Sequence, residues 1–187
     1  MAKKIAVVTG HAGFIGSTFT QKLLAEGWFV YCVDKFTYVS NSLQSNKIHG
    51  MYGNKVKIIE EDVCNISWLP ECDVIFNLAA ESDVDVGNRD AIDFVKTNIE
   101  GVRNLLSIIQ KRILIRTDKP LFFQVSTDEV YGDIKKGSFN ETANLNPSNP
   151  YAATKAAADL LIQSWARTHG LDYIIARPSN NYGLYQY

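Results

Sequence analysis

Ile5-Ala6-Val7-Val8-Thr9-Gly10-His11-Ala12-Gly13-Phe14-Ile15-Gly16 is the stretch whose reading decides the fold. Ile5 to Thr9 is a short apolar run of the kind that forms a strand buried on both faces. The glycines at 10, 13 and 16 allow a tight turn, close approach of backbone to a pyrophosphate, and close helix–strand packing. Phe19, Leu23 and Leu24 then recur at helical spacing. A helix that opens on such a loop presents free N–H groups and its positive dipole end to an anion. Strand, glycine turn and helix in this order predict a dinucleotide site. The next apolar run agrees, because Trp28 to Val33 ends in Asp34, near the ~20-residue spacing of an acid that accepts from ribose hydroxyls. A carboxylate there repels a 2′-phosphate, so the pattern selects NAD over NADP.

Outward from this unit, apolar runs alternate with helical patterns. Strands are expected near 5–9, 28–33, 56–60, 73–78, 120–126 and 172–176, and helices near 14–26, 88–114 and 151–169. Such alternation predicts an α/β fold with a doubly wound, Rossmann-type parallel sheet. Segment 35–55 reads as a loop with a short helix, and 133–149 as a surface loop. At 187 residues the chain suits one domain with one good core. A net charge of −1 implies no attraction to nucleic acid or membrane. No apolar run approaches the ~18 residues of a membrane span, and Met1-Ala2-Lys3-Lys4 leads straight into the first strand with no signal peptide. Cys32, Cys64 and Cys72 lie in or beside apolar runs without metal-ligand spacing, which fits free thiols in a reducing, cytoplasmic setting. His11, His49 and His169 form no cluster with acids or cysteines, so no metal site is expected.

Two further motifs carry chemistry. The run Leu121 to Val125 ends in Ser126-Thr127-Asp128-Glu129-Val130-Tyr131-Gly132. Two neighbouring carboxyl groups at the end of a buried strand do not easily share one protonation state, so one can give a proton while the other takes one. That is what an elimination needs, although acids at a strand end also cap turns. Tyr151 and Lys155, four apart on one helix face after Pro150, form the second motif. An ammonium beside a phenol is expected to pull its pKa below the usual value of about 10.

With these motifs the chain resembles the cofactor-binding part of an extended short-chain dehydrogenase/reductase, and within that superfamily a nucleotide-sugar 4,6-dehydratase, nearest to the dTDP-glucose 4,6-dehydratase family. The resemblance runs through Thr9 to Gly16, Asp34 to Tyr38, Asp62-Val63, Asn77 to Ser82, Thr97-Asn98, Ser126 to Gly132, Tyr151 to Lys155 and Arg177 to Gly183. Thr127-Asp128-Glu129 is its specific element, since epimerases and simple dehydrogenases of the superfamily lack that acidic pair. The resemblance implies NAD contacts at Gly10, Ala12, Gly13, Phe14, Ile15, Gly16, Asp34, Lys35, Phe36, Thr37, Asp62, Val63, Leu78, Ala79, Ala80, Ser82, Thr97, Ser126, Tyr151, Lys155 and Asn181. It implies substrate contacts at Glu81, Ser82, Thr127, Asp128, Glu129, Tyr151 and Asn180. Asp62 would contact adenine, although after Val56 to Ile59 an acid can also simply cap a turn.

The implied reaction uses Tyr151, held by Lys155, to take the sugar 4-hydroxyl proton while NAD accepts the C4 hydride. Thr127 bonds the same oxygen, Glu129 removes the C5 proton, and Asp128 protonates the departing C6 hydroxyl. Return of the hydride to C6 leaves a 4-keto-6-deoxy sugar and unconsumed NAD. The substrate implied is dTDP-glucose, with UDP-glucose also compatible. Another extended-family activity on a nucleotide sugar (epimerase or decarboxylase) and a non-catalytic NAD-binding module remain open alternatives. Four positions depart from the family pattern. His11 stands where a glycine is usual, Asp83 where histidine is common, and Val86-Gly87 where an arginine–serine pair is common. Family members are also markedly longer, so the lobe that holds the nucleotide of the substrate is expected to be largely absent here. Finally, apolar stripes at Ile92, Val95, Ile99, Val102, Leu105, Leu106, Ile109 and at Ala153, Ala157, Leu160, Leu161, Ser164, Trp165, with small residues at Ala152, Ala156 and Ala158, predict a homodimer through 88–114 and 151–169.

Overall fold

A computed structural model describes residues 4–37, 40–82, 91–115, 117–184 and 186. Six strands, β1 (Ile5–Thr9), β2 (Phe29–Asp34), β3 (Val56–Glu60), β4 (Val74–Asn77), β5 (Leu121–Val125) and β6 (Tyr173–Ala176), form one sheet in the order β3-β2-β1-β4-β5-β6. Every pairing is parallel. The observed strands fall within a residue or two of the expected ones. β1 lies at the centre, and Ala6, Val7 and Val8 are fully buried because both faces of a parallel sheet are covered.

The helices are α1 (Phe14–Ala25), α2 (Ser42–Tyr52), α3 (Ile92–Phe94), α4 (Val102–Ile115) and α5 (Pro150–His169). On one face Ala6, Val8, Val30 and Cys32 pack with Leu23 and Leu24 of α1 and Ile48 of α2. On the other, Val7, Val33, Ile75 and Phe122 pack with Leu105, Leu106 and Ile109 of α4 and Ala158 and Ile162 of α5. Strand order reverses between β1 and β4, and in such sheets ligands bind outside the carboxyl ends at that switch point.

Three local features bear on the expectations, and the first agrees with them. Segment 35–55 carries an eleven-residue helix, α2, started by the Asn41 side chain accepting from the Gln44 N–H at 2.9 Å. The helix expected over 88–114 is continuous only in outline. Residues 88–90 lie outside the described residues, and between α3 and α4 the wider π-type turns of Val95–Gly101 intervene. Gly101 is needed there, since a Cβ would stand 2.8 Å from the Val63 side chain. The third concerns α5. Ala152, Ala156 and Ala158, expected to form an open flat surface, are instead buried inside the chain. The helix uses its small residues to approach the sheet and the turn after β5, where Ala156 meets Val130 and Tyr131. Its outward face is Ala153, Leu160 and Ser164, with Ala157 and Leu161 half-buried.

Candidate active site

The dinucleotide turn is built as its residues require. Gly10 has φ +69°, and a Cβ on it would lie 2.7 Å from the Ala79 amide nitrogen, so only glycine fits between β1 and the end of β4. At Gly16 a Cβ would collide with the Gly10 carbonyl oxygen, which is how α1 comes close to the strand. Gly13 is the N-cap of α1 and provides no side-chain cap, and no acid stands in the first turn. The N–H groups and positive dipole end are left for an anionic ligand, so the cradle fits a pyrophosphate.

Asp34 ends β2 beside this turn. Its Oδ2 accepts from Ala12 N at 3.0 Å, and its Oδ1 from Phe36 N at 2.8 Å and Ser40 Oγ at 3.1 Å. Three donors aim the carboxylate and hold it in position. A cleft beside it is lined by Gly10, Gly13, Asp34, Lys35, Thr37, Asp62, Val63, Leu78, Ala79, Ala80, Glu81 and Thr97, which unites most of the residues expected at the adenosine end. Lys35 Nζ sits 3.3 Å from Glu81 Oε1, 3.8 Å from Asp62 Oδ2 and 3.4 Å from Thr97 Oγ1. Glu81, expected at the substrate, lines both this cleft and the one that follows, with its carboxylate paired to Lys35. Asp62 caps a turn as well, accepting from Cys64 N at 2.9 Å while lining the cleft. Ala12 and Phe36 line neither cleft, and their backbone N–H groups donate to Asp34. Tyr38, Asp83, Val86 and Gly87 lie outside the described residues.

The same groove continues into a cleft of about 540 Å³ that brings together Phe14, Ile15, Gly16, Ser82, Ser126, Thr127, Glu129, Tyr151, Lys155, Asn180 and Asn181. Asp128 faces the adjoining outer cavity of about 950 Å³, which also takes in Glu129, Arg177 and Asn180. Asp128 and Glu129 open a 3₁₀ turn (Asp128–Tyr131), where the Thr127 hydroxyl accepts from Glu129 N at 3.3 Å. Asn149 joins this turn to α5. Its Oδ1 accepts from Ala152 N at 2.7 Å as the N-cap, and its Nδ2 donates to Glu129 Oε2 at 2.8 Å.

Lys155 is buried and donates to the Val125 carbonyl at 2.7 Å. Burial pulls its pKa down to about 8, against the opposing pull of Asp159. Tyr151 departs from expectation: burial, then the Glu129 and Asp128 carboxylates, push its phenol up to about 12. The Lys155 ammonium is spent on a backbone carbonyl, so the chain's own charges do not activate this tyrosine.

Several residues to which the sequence reading gave no structural role hold the site. Thr9 Oγ1 donates to Asn77 Oδ1 at 2.5 Å, Asn77 Nδ2 to Gln124 Oε1 at 2.8 Å, and Gln124 Nε2 to the Val125 carbonyl at 3.2 Å. This buried chain crosses β1, β4 and β5 under the cleft. Asn98, carried inward by the π-type turns, bonds both backbone groups of Glu81 and donates to Thr154 Oγ1 at 3.0 Å. Buried Asp159 accepts from Ser126 Oγ at 3.1 Å and Arg177 Nε at 2.9 Å, and Arg177 Nη1 reaches the Tyr131 hydroxyl at 2.6 Å. Asn98 and Arg177 stood inside motifs, whereas Asp159 and Gln124 carried no signal before folding. Among the described residues no group of three or more His, Cys, Asp or Glu could hold a metal ion.

The chain is similar to proteins of known kind. The dTDP-glucose 4,6-dehydratase of Streptomyces niveus is 40% identical over 191 residues, covering 97% of this chain and 55% of that protein. DesIV, the dTDP-glucose 4,6-dehydratase of Streptomyces venezuelae solved with NAD and TYD bound, superposes with TM-score 0.87 at 36% identity, over 97% of this chain and 57% of that one. The UDP-glucuronic acid 4-epimerase of Bacillus cereus, solved with UDP-glucuronic acid and NAD, gives TM-score 0.81 at 29% identity, over 92% and 55%. The chain thus spans about half the length of the curated relatives it matches. Residues 6–187, from β1 through the glycine turn, the acid pair and the tyrosine helix, match one family over that whole span, and the chain belongs to the NAD dependent epimerase/dehydratase family.

Proposed function

We propose that residues 1–187 are the NAD-binding part, with the catalytic residues, of a nucleotide-sugar 4,6-dehydratase acting on dTDP-glucose, with UDP-glucose as the other candidate substrate. The nucleotide-holding lobe would belong to the half of the relatives that this chain does not span. One observation carries the reading: Thr127 and Glu129 share a cleft with Tyr151 and Lys155, and Asp128 adjoins it. An epimerase needs only the tyrosine and lysine. A dehydratase needs an acid and a base as well.

NAD, when bound, supplies the hydride acceptor and donor, and a positive ring charge that Tyr151 lacks here. Gly10, Gly13 and the start of α1 would hold the pyrophosphate, Asp34 the ribose hydroxyls, and Asp62 and Val63 the adenine side. Lys155 and Ser126 would hold the nicotinamide half. Tyr151 takes the proton of the sugar 4-hydroxyl, and Thr127 donates to that oxygen. Once C4 is a ketone, Glu129, aimed by Asn149, removes the C5 proton. Asp128, on the outer side, gives its proton to the C6 hydroxyl as it leaves as water. Two neighbouring carboxyl groups, one as base and one as acid, can perform these two transfers without exchanging roles.

A homodimer through α3–α4 and α5 belongs to the same proposal. Its support is the exposure of Ile92, Val95 and Leu160, large apolar residues on segments that pack against one another. We assign no nucleic-acid or membrane partner, in keeping with the charge balance; no helix among the described residues is long and apolar enough to cross a membrane. The three free thiols suit the cytoplasm.

The test is to incubate the full-length protein with dTDP-glucose and analyse the sugar. A 4-keto-6-deoxy product is expected, and inversion at C4 without loss of water would establish an epimerase instead. In Glu129→Gln, oxidation at C4 should proceed and elimination stall, so reduced nicotinamide accumulates at its absorbance band. Near wild-type turnover in that variant would remove Glu129 from the role.

A further inference from the structure

His11 is the residue by which this chain departs from a glycine at the heart of the phosphate turn, and its side chain is fully buried. Its Nε2 lies 2.9 Å from Ser45 Oγ on α2, and its Nδ1 lies 3.9 Å from Asp34 Oδ2. A proton on Nδ1 faces the carboxylate favourably, which leaves Nε2 to accept from the Ser45 hydroxyl. The ring also stands edge-on to Phe36, with centroids 5.7 Å apart.

Phe36 is the one non-glycine residue with positive φ (+52°) among the described residues. A bulky residue in that region persists only when its surroundings over-determine it. Two contacts do so here, the imidazole edge and the hydrogen bond from Phe36 N to Asp34 Oδ1. A further tie joins the same parts, since Asn41 N donates to the Ala12 carbonyl at 2.8 Å. These three side-chain contacts of His11 fall on the structure that aims Asp34: the acid itself, the second residue after the β2 end, and the helix behind it.

We propose that His11 is a positioning residue for the adenosine half of the cofactor, a strut that locks Asp34, Phe36 and α2 to the phosphate turn before NAD arrives; the inference rests on the NAD reading above. Ordering the acceptor in advance removes that cost from binding and so tightens it. A glycine at position 11 makes none of these three side-chain contacts. The role is indirect, since His11 lines neither cleft.

Calorimetric titration of NAD and of AMP into the purified protein tests it. His11→Leu keeps bulk but loses both polar contacts, and should weaken NAD and AMP alike by about tenfold, the factor carried by one buried hydrogen bond. His11→Gln, whose amide can still reach Ser45, should recover most of that loss. Ser45→Ala removes the same hydrogen bond from the far side, should weaken both ligands by about threefold, and carries the test if His11→Leu fails to fold. The strut alone is overturned if wild type binds NAD and these variants bind it equally well, if the loss with NAD is absent with AMP, or if glutamine restores nothing. A wild type that takes up no NAD at all brings down the cofactor reading and the strut together.

Discussion

Lys155 and Tyr151 show how far a motif can be read from spacing. Their four-residue separation does put both in the cleft. What spacing cannot say is that the ammonium turns to the Val125 carbonyl while the phenol sits among carboxylates. The folded pKa of Lys155, about 8, lies below the free value of about 10.4. Between those values the unfolded chain binds a proton that the folded chain has shed, so stability rises with pH across that window. Below it the full cost of burying the charge is present. Lys155→Met should therefore raise folding stability at pH 7 by on the order of 2 kcal/mol, while the Val125 carbonyl keeps Gln124 as donor and Asp159 keeps Ser126 and Arg177. Denaturant unfolding at several pH values checks this, with the gain shrinking towards pH 10. Equal stability of the two proteins at pH 7 would mean that the ammonium is not strained.

At the scale of elements, α5 is the helix whose ends are best specified. Asn149 caps it, Pro150 stands in the first turn, and Gly170 closes it with φ +71°. Asn149 has a second duty, because its amide nitrogen holds Glu129. The two duties separate by substitution. Asn149→Ala should lose about 1 kcal/mol of stability from the cap and most of the turnover that depends on Glu129. Asn149→Asp retains a good cap but sets a carboxylate against Glu129, so stability should return without activity. Unfolding curves and turnover of the full-length protein check both, and an active Asp variant would show that Glu129 needs no donor there. The helix around Val95–Gly101 carries the opposite lesson. Its hydrophobic spacing predicts an ordinary α-helix, yet wider turns form where Asn98 reaches Glu81 and Thr154.

At the scale of the molecule, Asp159 is the point where four parts meet. It sits on α5, bonds Ser126 at the end of β5, and pairs with Arg177 after β6, whose guanidinium reaches Tyr131 in the acid-bearing turn. Loss of one partner of such a buried pair leaves an uncompensated charge and is strongly destabilising. The surface has its own decision in Leu160, which is 56% exposed on the outward face of α5. If the proposed dimer forms there, Leu160→Glu should convert it to a monomer with its fold intact, read by sedimentation and circular dichroism. A wild type that sediments as a monomer would remove the dimer from the proposal.

Strand positions, parallel order, the glycine turn with Asp34, and the acid-pair and tyrosine–lysine motifs that line the clefts were legible because each is read from a local pattern. Apolar runs of strand length, a glycine where no Cβ fits, and a tyrosine and lysine one helical turn apart are all set by a few neighbouring residues. Pairings made across tens of residues were not legible. His11 with Ser45, Asn77 with Gln124, Asn98 with Thr154 and Asp159 with Arg177 join different elements. Nor was the inward side of α5, where Ala152, Ala156 and Ala158 are buried. A polar side chain acquires a partner only when the sheet brings two segments together, and burial then decides the sign of the pKa shift. The local pattern specified which elements form and which groups the site contains; only the folded chain determined where those groups point and what charge they can hold.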